Sequence, residues 1–243
     1  MTEVAVELDY RRPLASVPLR RFLEAHAIPG LETYDSGARE HVRLVPGPSG
    51  PALVRVILPD GTEPVSARVR LADPGDLGGV LTRVRRWLDL DADPATIDAA
   101  LSRDPLLAPC VEANPGLRVP GTVDGGELAL LSVLGQQVSL RAARTFASRL
   151  VAAVGSIHDD GLHSFPSAAT VSEMGAEQLR STIGVTGARA RSLHAVAGAL
   201  ADGLVLDRDA DRHAARAALL RLPGIGPWTL DGGIHRVAGA GRS

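Results

Sequence analysis

Lysine is absent from this 243-residue chain, whose 26 basic residues are all arginine. Schiff-base catalysis needs a primary amine, so only the N-terminus is equipped for it. Cysteine is almost absent too. Cys110 alone excludes an internal disulfide and any four-cysteine zinc or iron-sulfur site built within the chain, and it reads as a packed thiol. No apolar run approaches the roughly 18 residues that a membrane span needs. The start, MTEVAVELDYRRP, has acids and strand-like alternation where a signal peptide has a basic start and an apolar centre. A cytoplasmic protein with no membrane partner is expected. The seven histidines show no metal-ligand spacing, and neither a metal nor another cofactor is expected. A net charge of -2 makes no global electrostatic case for a nucleic-acid partner.

The charge is unevenly spread, however. Residues 87–134 hold eight acids against two arginines, and residues 135–243 hold twelve arginines against nine acids, so the second stretch permits phosphate binding. Apolar residues make up 45% of the chain, enough for a sizeable core in one or two compact units. Val4, Val6 and Leu8 alternate with polar neighbours, as do Val65, Ala67, Val69 and Leu71, and PALVRVIL lies between turn signals at GPSGP and Asp60-Gly61. Leu19, Phe22 and Leu23 have helical spacing, and a second helical pattern runs from Leu77 to Leu88. These features predict a small α+β domain with an antiparallel sheet over residues 1–86.

From Asp93 onward the periodicity is helical, which predicts an all-α domain over residues 87–243. Asp93-Pro94 reads as an N-cap and first-turn proline. The longest helical pattern runs from Glu127 to Val154. Two shorter helices end near Ile183-Gly184 and at Gly203, and Asp209 is placed to cap the next, which leads into LRLPGIGPWTLDGG.

That stretch raises the functional question. Pro223 ends a helix, and Gly224 and Gly226 remove the steric bar to positive φ on either side of Ile225. Such a turn exposes main-chain N–H groups, and a helix starting at Pro227 would aim its unpaired donors at the same spot, making an uncharged seat for one phosphate. An ordinary glycine turn between packed helices is the other reading. Neither a Walker loop nor a dinucleotide fingerprint is present. A second unusual spot is LLSVLGQQVSLRAA, where Gln136 and Gln137 interrupt a strongly apolar helix. Two amides there are either satisfied by loop carbonyls or aimed at bases as polar probes.

Together LDYRRPL, FLEAHAIPGLE, VPGTVDGGELALLSVLGQQVS and LRLPGIGPWT, in this order and spacing, resemble the 3-methyladenine DNA glycosylase II family of the helix-hairpin-helix DNA glycosylase superfamily, over nearly the whole chain. The resemblance implies a monomeric bacterial repair enzyme that flips an alkylated purine out of duplex DNA and hydrolyses its glycosidic bond. It implies that Leu222, Pro223, Gly224, Ile225, Gly226 and Thr229 hold a phosphate beside the lesion. Trp228 and Gln136 would line the base pocket, and Gln137 would stand where a wedge fills the gap left by the flipped base, although its side chain is polar. Arg189 and Arg191 are read as solvated helix arginines within reach of the DNA backbone. Lysine's absence excludes the superfamily's lysine-dependent lyase chemistry, and the single cysteine excludes its iron-sulfur branch.

The resemblance stops after Thr229. The position of the family's catalytic aspartate lies well past Trp228 and beyond Ser243, and Asp231 is no substitute, so no catalytic residue is assigned. Gly232, Gly233, Gly239 and Gly241 fall where an amphipathic helix is expected, at about 1 kcal/mol per interior glycine. The tail is read as the product of a frameshift or early stop. A noncatalytic DNA-binding module and a nonfunctional truncation product are therefore the competing readings.

Overall fold

The computed structural model describes residues 1–207, 210–227 and 229. The chain divides into two compact units, one of Met1–Ala27 with Glu32–Gly121 and one of Ile28–Leu31 with the chain from Thr122 onward.

The first unit holds the sheet. Strands β1 (Thr2–Leu8), β2 (Glu32–Asp35), β3 (Glu40–Val45), β4 (Ala52–Ile57) and β5 (Val65–Leu71) pair antiparallel in the order β1-β5-β4-β3-β2. The register sets Val4 and Val54 against Val69 and Val56 against Ala67, so the alternation visible in the sequence becomes one apolar face. Helix α1 (Ser16–His26) buries Leu19 and Leu23, and α2 (Leu77–Trp87) buries Val80, Val84 and Trp87. The Trp87 ring meets His41 edge-on, with centroids 4.8 Å apart, and Arg43 lies 5.4 Å from its centre. His41 Nε2 is 2.6 Å from Glu32 Oε2, and Glu32, His41 and Arg43 are all buried. This buried polar cluster is why β2 and β3 do not show as apolar alternation in the sequence.

Residues 87–121, expected to join the helical part, are tied instead to the N-terminal strand's exit. Helices α3 (Pro94–Leu101) and α4 (Ala108–Ala113) lie in this stretch. Asp93 caps α3 as expected, accepting from Thr96 N. The main chain of Arg11 donates to Leu90 O at 3.3 Å and that of Ala15 to Gly116 O at 3.1 Å. Arg118, 4% exposed, donates to the carbonyls of Ala92 (2.9 Å), Pro13 (3.2 Å) and Arg11. Burial lowers its pKa, against the pull of Asp89 and Asp98. Arg118→Met strands these carbonyls and is expected to cost about 2–4 kcal/mol, read as a lower urea midpoint with unchanged slope. Cys110, expected to be packed, is exposed on α4, a helix that buries none of its residues.

The second unit is helical. Its elements are α5 (Gly125–Leu134), α6 (Leu140–Val154), α7 (Ala168–Ile183), α8 (Gly187–Ala201) and α9 (Arg212–Leu220). Side chains of Asp124, Ser139, Ser167, Thr186 and Asp211 cap them in turn. Asp209, the expected cap of α9, lies outside the described residues. The core combines Leu130, Leu134, Leu150, Leu179, Ile183 and Leu193, all 1% exposed or less. Each such side chain contributes about 1.5–3 kcal/mol of apolar burial. α7 ends on Gly184 in the left-handed conformation, as the sequence indicates, and is kinked at Gly175, where φ is 71°.

The single helix expected from Glu127 to Val154 is two helices. Ser139 opens α6 by accepting from Ala142 N at 3.3 Å, and Gln137 stands between the helices with φ 49°. Gln136 and Gln137 therefore occupy a loop.

A braced hairpin as candidate nucleic-acid interface

After α9 the chain tightens. Arg221 N and Leu222 N donate to Ala218 O and Leu219 O, and Ile225 N reaches back to Leu222 O at 3.3 Å. Ile225, 6% exposed, anchors the turn in the helical core, and Leu222 packs against that core too. Pro223 and Gly224 face solvent. Thr229 N donates to Gly226 O at 3.1 Å, so the phosphate donor expected at Thr229 is already engaged in the turn.

The two glycines have different reasons. Gly224 has φ 74°, and a Cβ there would sit 2.1 Å from Ser192 Oγ on α8. Gly226 corrects the expectation of positive φ at both: its φ lies outside that region, and among the described residues a Cβ there meets nothing within 4 Å. The fold thus requires Gly224 and leaves Gly226 open. Among the described residues, the N–H groups of Gly224 and Gly226 meet no acceptor.

Gln136 joins the hairpin from the α5–α6 loop. Its Nε2 donates to Gly224 O at 3.1 Å and to Thr229 Oγ1 at 2.9 Å, across 88 and 93 residues of sequence. The side-chain amide expected to line a base pocket has both hydrogens committed to the hairpin. Gln137 is exposed, and its side chain makes no hydrogen bond among the described residues. Arg189 is not a solvated arginine. Its guanidinium donates to Gln136 O and lies 5.7 Å from the centre of the Phe146 ring, a partner invisible in the sequence because α6 and α8 are far apart along the chain. Arg191 is exposed, and with exposed Arg141 and Arg221 it makes no ion pair among the described residues. Trp228 and the tail from residue 230, including the glycines that break the expected helix, lie outside the described residues.

Among the described residues no three His, Cys, Asp or Glu side chains converge as a metal site, and no described helix is long and apolar enough to cross a membrane. The chemistry on view is that of peptide donors on a core-anchored turn, with exposed Arg221 directly before it.

A five-stranded antiparallel sheet unit and a helical unit carrying a glycine hairpin define the architecture of a helix-hairpin-helix glycosylase. The AlkA N-terminal domain matches residues 5–124, and the HhH-GPD superfamily base excision DNA repair protein matches residues 130–241. The chain belongs to the AlkA branch of the HhH-GPD superfamily of DNA glycosylases. It is 41% identical over 233 residues to a probable bifunctional transcriptional activator/DNA repair enzyme AlkA of Mycobacterium tuberculosis, covering 94% of this chain and 45% of that one. With DNA-3-methyladenine glycosylase 2 of Escherichia coli it shares 30% identity over 184 residues, 73% of this chain and 58% of that one. The chain thus spans about half the length of the curated relatives it matches. Among solved structures, a 3-methyladenine DNA-glycosylase from Archaeoglobus fulgidus superposes with a TM-score of 0.76 at 18% identity, over 93% of this chain and 76% of that one. An 8-oxoguanine glycosylase/lyase from Clostridium acetobutylicum, in complex with double-stranded DNA, gives 0.70 at 15% identity, over 97% and 78%. At those identities the likeness is one of fold.

Proposed function

We infer that the hairpin 222–229 grips the backbone of damaged duplex DNA, in service of a hydrolase that removes alkylated purines by flipping them out of the stack. One observation carries this reading: an exposed, core-anchored turn whose two glycine N–H groups lack acceptors among the described residues, one of them at a glycine the fold does not need. Uncharged donors suit a chain of net charge -2, because the turn supplies the attraction locally.

The relatives' names support the substrate class. An N3- or N7-alkylated purine is cationic and already a good leaving group, so an electron-rich wall such as Trp228 holds it by cation-π attraction. Chemistry then requires a carboxylate that stabilises an oxocarbenium-like sugar and a water molecule that attacks it. The family resemblance assigns that carboxylate to no residue among these 243, so the reading gives these residues the recognition step and names none of them for cleavage. Gln137, exposed between α5 and α6, takes the wedge role that the family resemblance implies.

The test is to incubate that polypeptide with methylated duplex and follow both free base and complex. Salt-sensitive binding with no release of 3-methyladenine is the expected outcome. Rapid release contradicts the assignment of cleavage elsewhere, and absence of binding at low salt removes the DNA reading altogether.

A further inference from the structure

We propose that Arg189 and Gln136 are positioning residues that lock the α5–α6 loop to the hairpin, so that the two segments meet DNA as one rigid surface. The proposal rests on the DNA-binding reading for its purpose, and on the geometry of the free protein for its existence.

The chain of contacts is continuous. Thr186 caps α8 by accepting from Arg189 N at 3.3 Å, which fixes the start of the helix. One turn into α8, the Arg189 guanidinium caps the main-chain carbonyl of Gln136 while stacking near Phe146. The Gln136 side chain then spends both amide hydrogens on Gly224 O and Thr229 Oγ1. Ser192, three residues beyond Arg189 and so on the same helix face, lies under Gly224 and is 3% exposed. Helix α8 therefore supports the loop through residue 189 and the hairpin through residue 192.

Arginine is a costly choice for this place if packing were its only task. Its Nε is buried with no hydrogen-bond partner, a penalty that an apolar side chain of similar length avoids. What an apolar side chain lacks is a donor for the Gln136 carbonyl. That carbonyl belongs to a loop whose next residue holds φ 49°, a conformation that non-glycine residues keep only when their surroundings impose it. The arginine fixes the loop, and the fixed loop aims the amide at the hairpin. Preorganising both segments removes ordering costs that DNA binding otherwise carries.

The experiment uses Gln136→Leu, Arg189→Met, their combination, and Arg189→Lys, which keeps a donor for the carbonyl. Amide exchange of Ile225 and Thr229 is followed in the DNA-free protein, with thermal midpoint and affinity for a short duplex carrying one abasic-site analogue measured alongside. Each single loss is expected to speed hairpin exchange and weaken duplex binding by about tenfold, with an unchanged salt slope, since the number of phosphates contacted is the same. The combination should match Gln136→Leu alone in hairpin exchange, because the arginine acts through the glutamine, and Arg189→Lys should recover part of the loss. Unchanged exchange in the single variants, or effects that simply add, overturns the proposal. If the wild-type protein fails to bind the duplex, the DNA reading falls, and the exchange data still decide whether the lock exists.

Discussion

Gly224→Ala is expected to weaken the proposed binding of duplex DNA by on the order of 100-fold. The left-handed conformation at this residue, φ 74°, is worth about 1–2 kcal/mol against any side chain. Steric overlap adds to it, because the new Cβ would lie 2.1 Å from Ser192 Oγ and 3.3 Å from Ser192 Cβ. A further 1–3 kcal/mol is typical of overpacking, and the sum of about 3 kcal/mol is roughly two orders of magnitude in binding if the turn must be intact to bind. Most of the helical unit should stay folded, since of the hairpin side chains only Ile225 is a fully committed member of its core. Ser192→Ala introduced together with Gly224→Ala separates the two causes. It removes the Oγ clash and should restore about tenfold, leaving the loss due to backbone strain. Equal affinity of Gly224→Ala and wild type in a direct titration contradicts the role assigned to the turn.

The largest expected loss of stability comes from Gly125→Ala. Gly125 is the first residue of α5, and a Cβ on it would fall 1.7 Å from the carbonyl oxygen of Leu206 and 2.8 Å from its carbon. Both are backbone atoms, so no rotamer change relieves the overlap, and α5 has to move off the segment before α9. That helix carries Ala129, Leu130, Val133 and Leu134, four members of the core. A loss of about 3 kcal/mol or more is expected, a large share of the stability of an ordinary domain. Gly126→Ala is the control. There the nearest atoms are side-chain ends, Asp124 Oδ1 at 3.2 Å and Leu200 Cδ1 at 3.7 Å, and less than about 1 kcal/mol should be lost in urea unfolding.

What was legible in the sequence is what local chemistry decides. Asp93-Pro94, Ile183-Gly184 and the run through Gly203 mark helix ends because caps and left-handed glycines act within a few residues of themselves. β1, β4 and β5 show because their alternation is apolar on the buried face. β2 and β3 do not, because Glu32, His41 and Arg43 hold buried places that only their mutual pairing and Trp87 make tolerable. The break at Gly135–Ser139 is hidden for a related reason. Leu134 and Leu140 continue an apolar pattern across a loop whose turn depends on Gln137 adopting φ 49°. At the site, the hairpin was readable from Pro223, Gly224 and Gly226, and a loop carbonyl as partner of the Gln136 amide was one of two readings, whereas which carbonyl it meets and the engagement of Arg189 were not readable. Their partners lie 93 and 53 residues away, and nothing in a helical pattern distinguishes an arginine that caps a distant carbonyl from a solvated one.

The most direct measurement of the central claim, that peptide donors of the turn hold a DNA phosphate, is Gly226→Ala, with duplex affinity and thermal midpoint determined on the same preparation. Among the described residues nothing lies within 4 Å of that methyl group, so they leave room for it. An unchanged midpoint with duplex binding weakened at least about tenfold is the predicted result, because the methyl group occupies the approach that an incoming phosphate needs. An unchanged midpoint with unchanged affinity would mean that the hairpin is only a turn between packed helices.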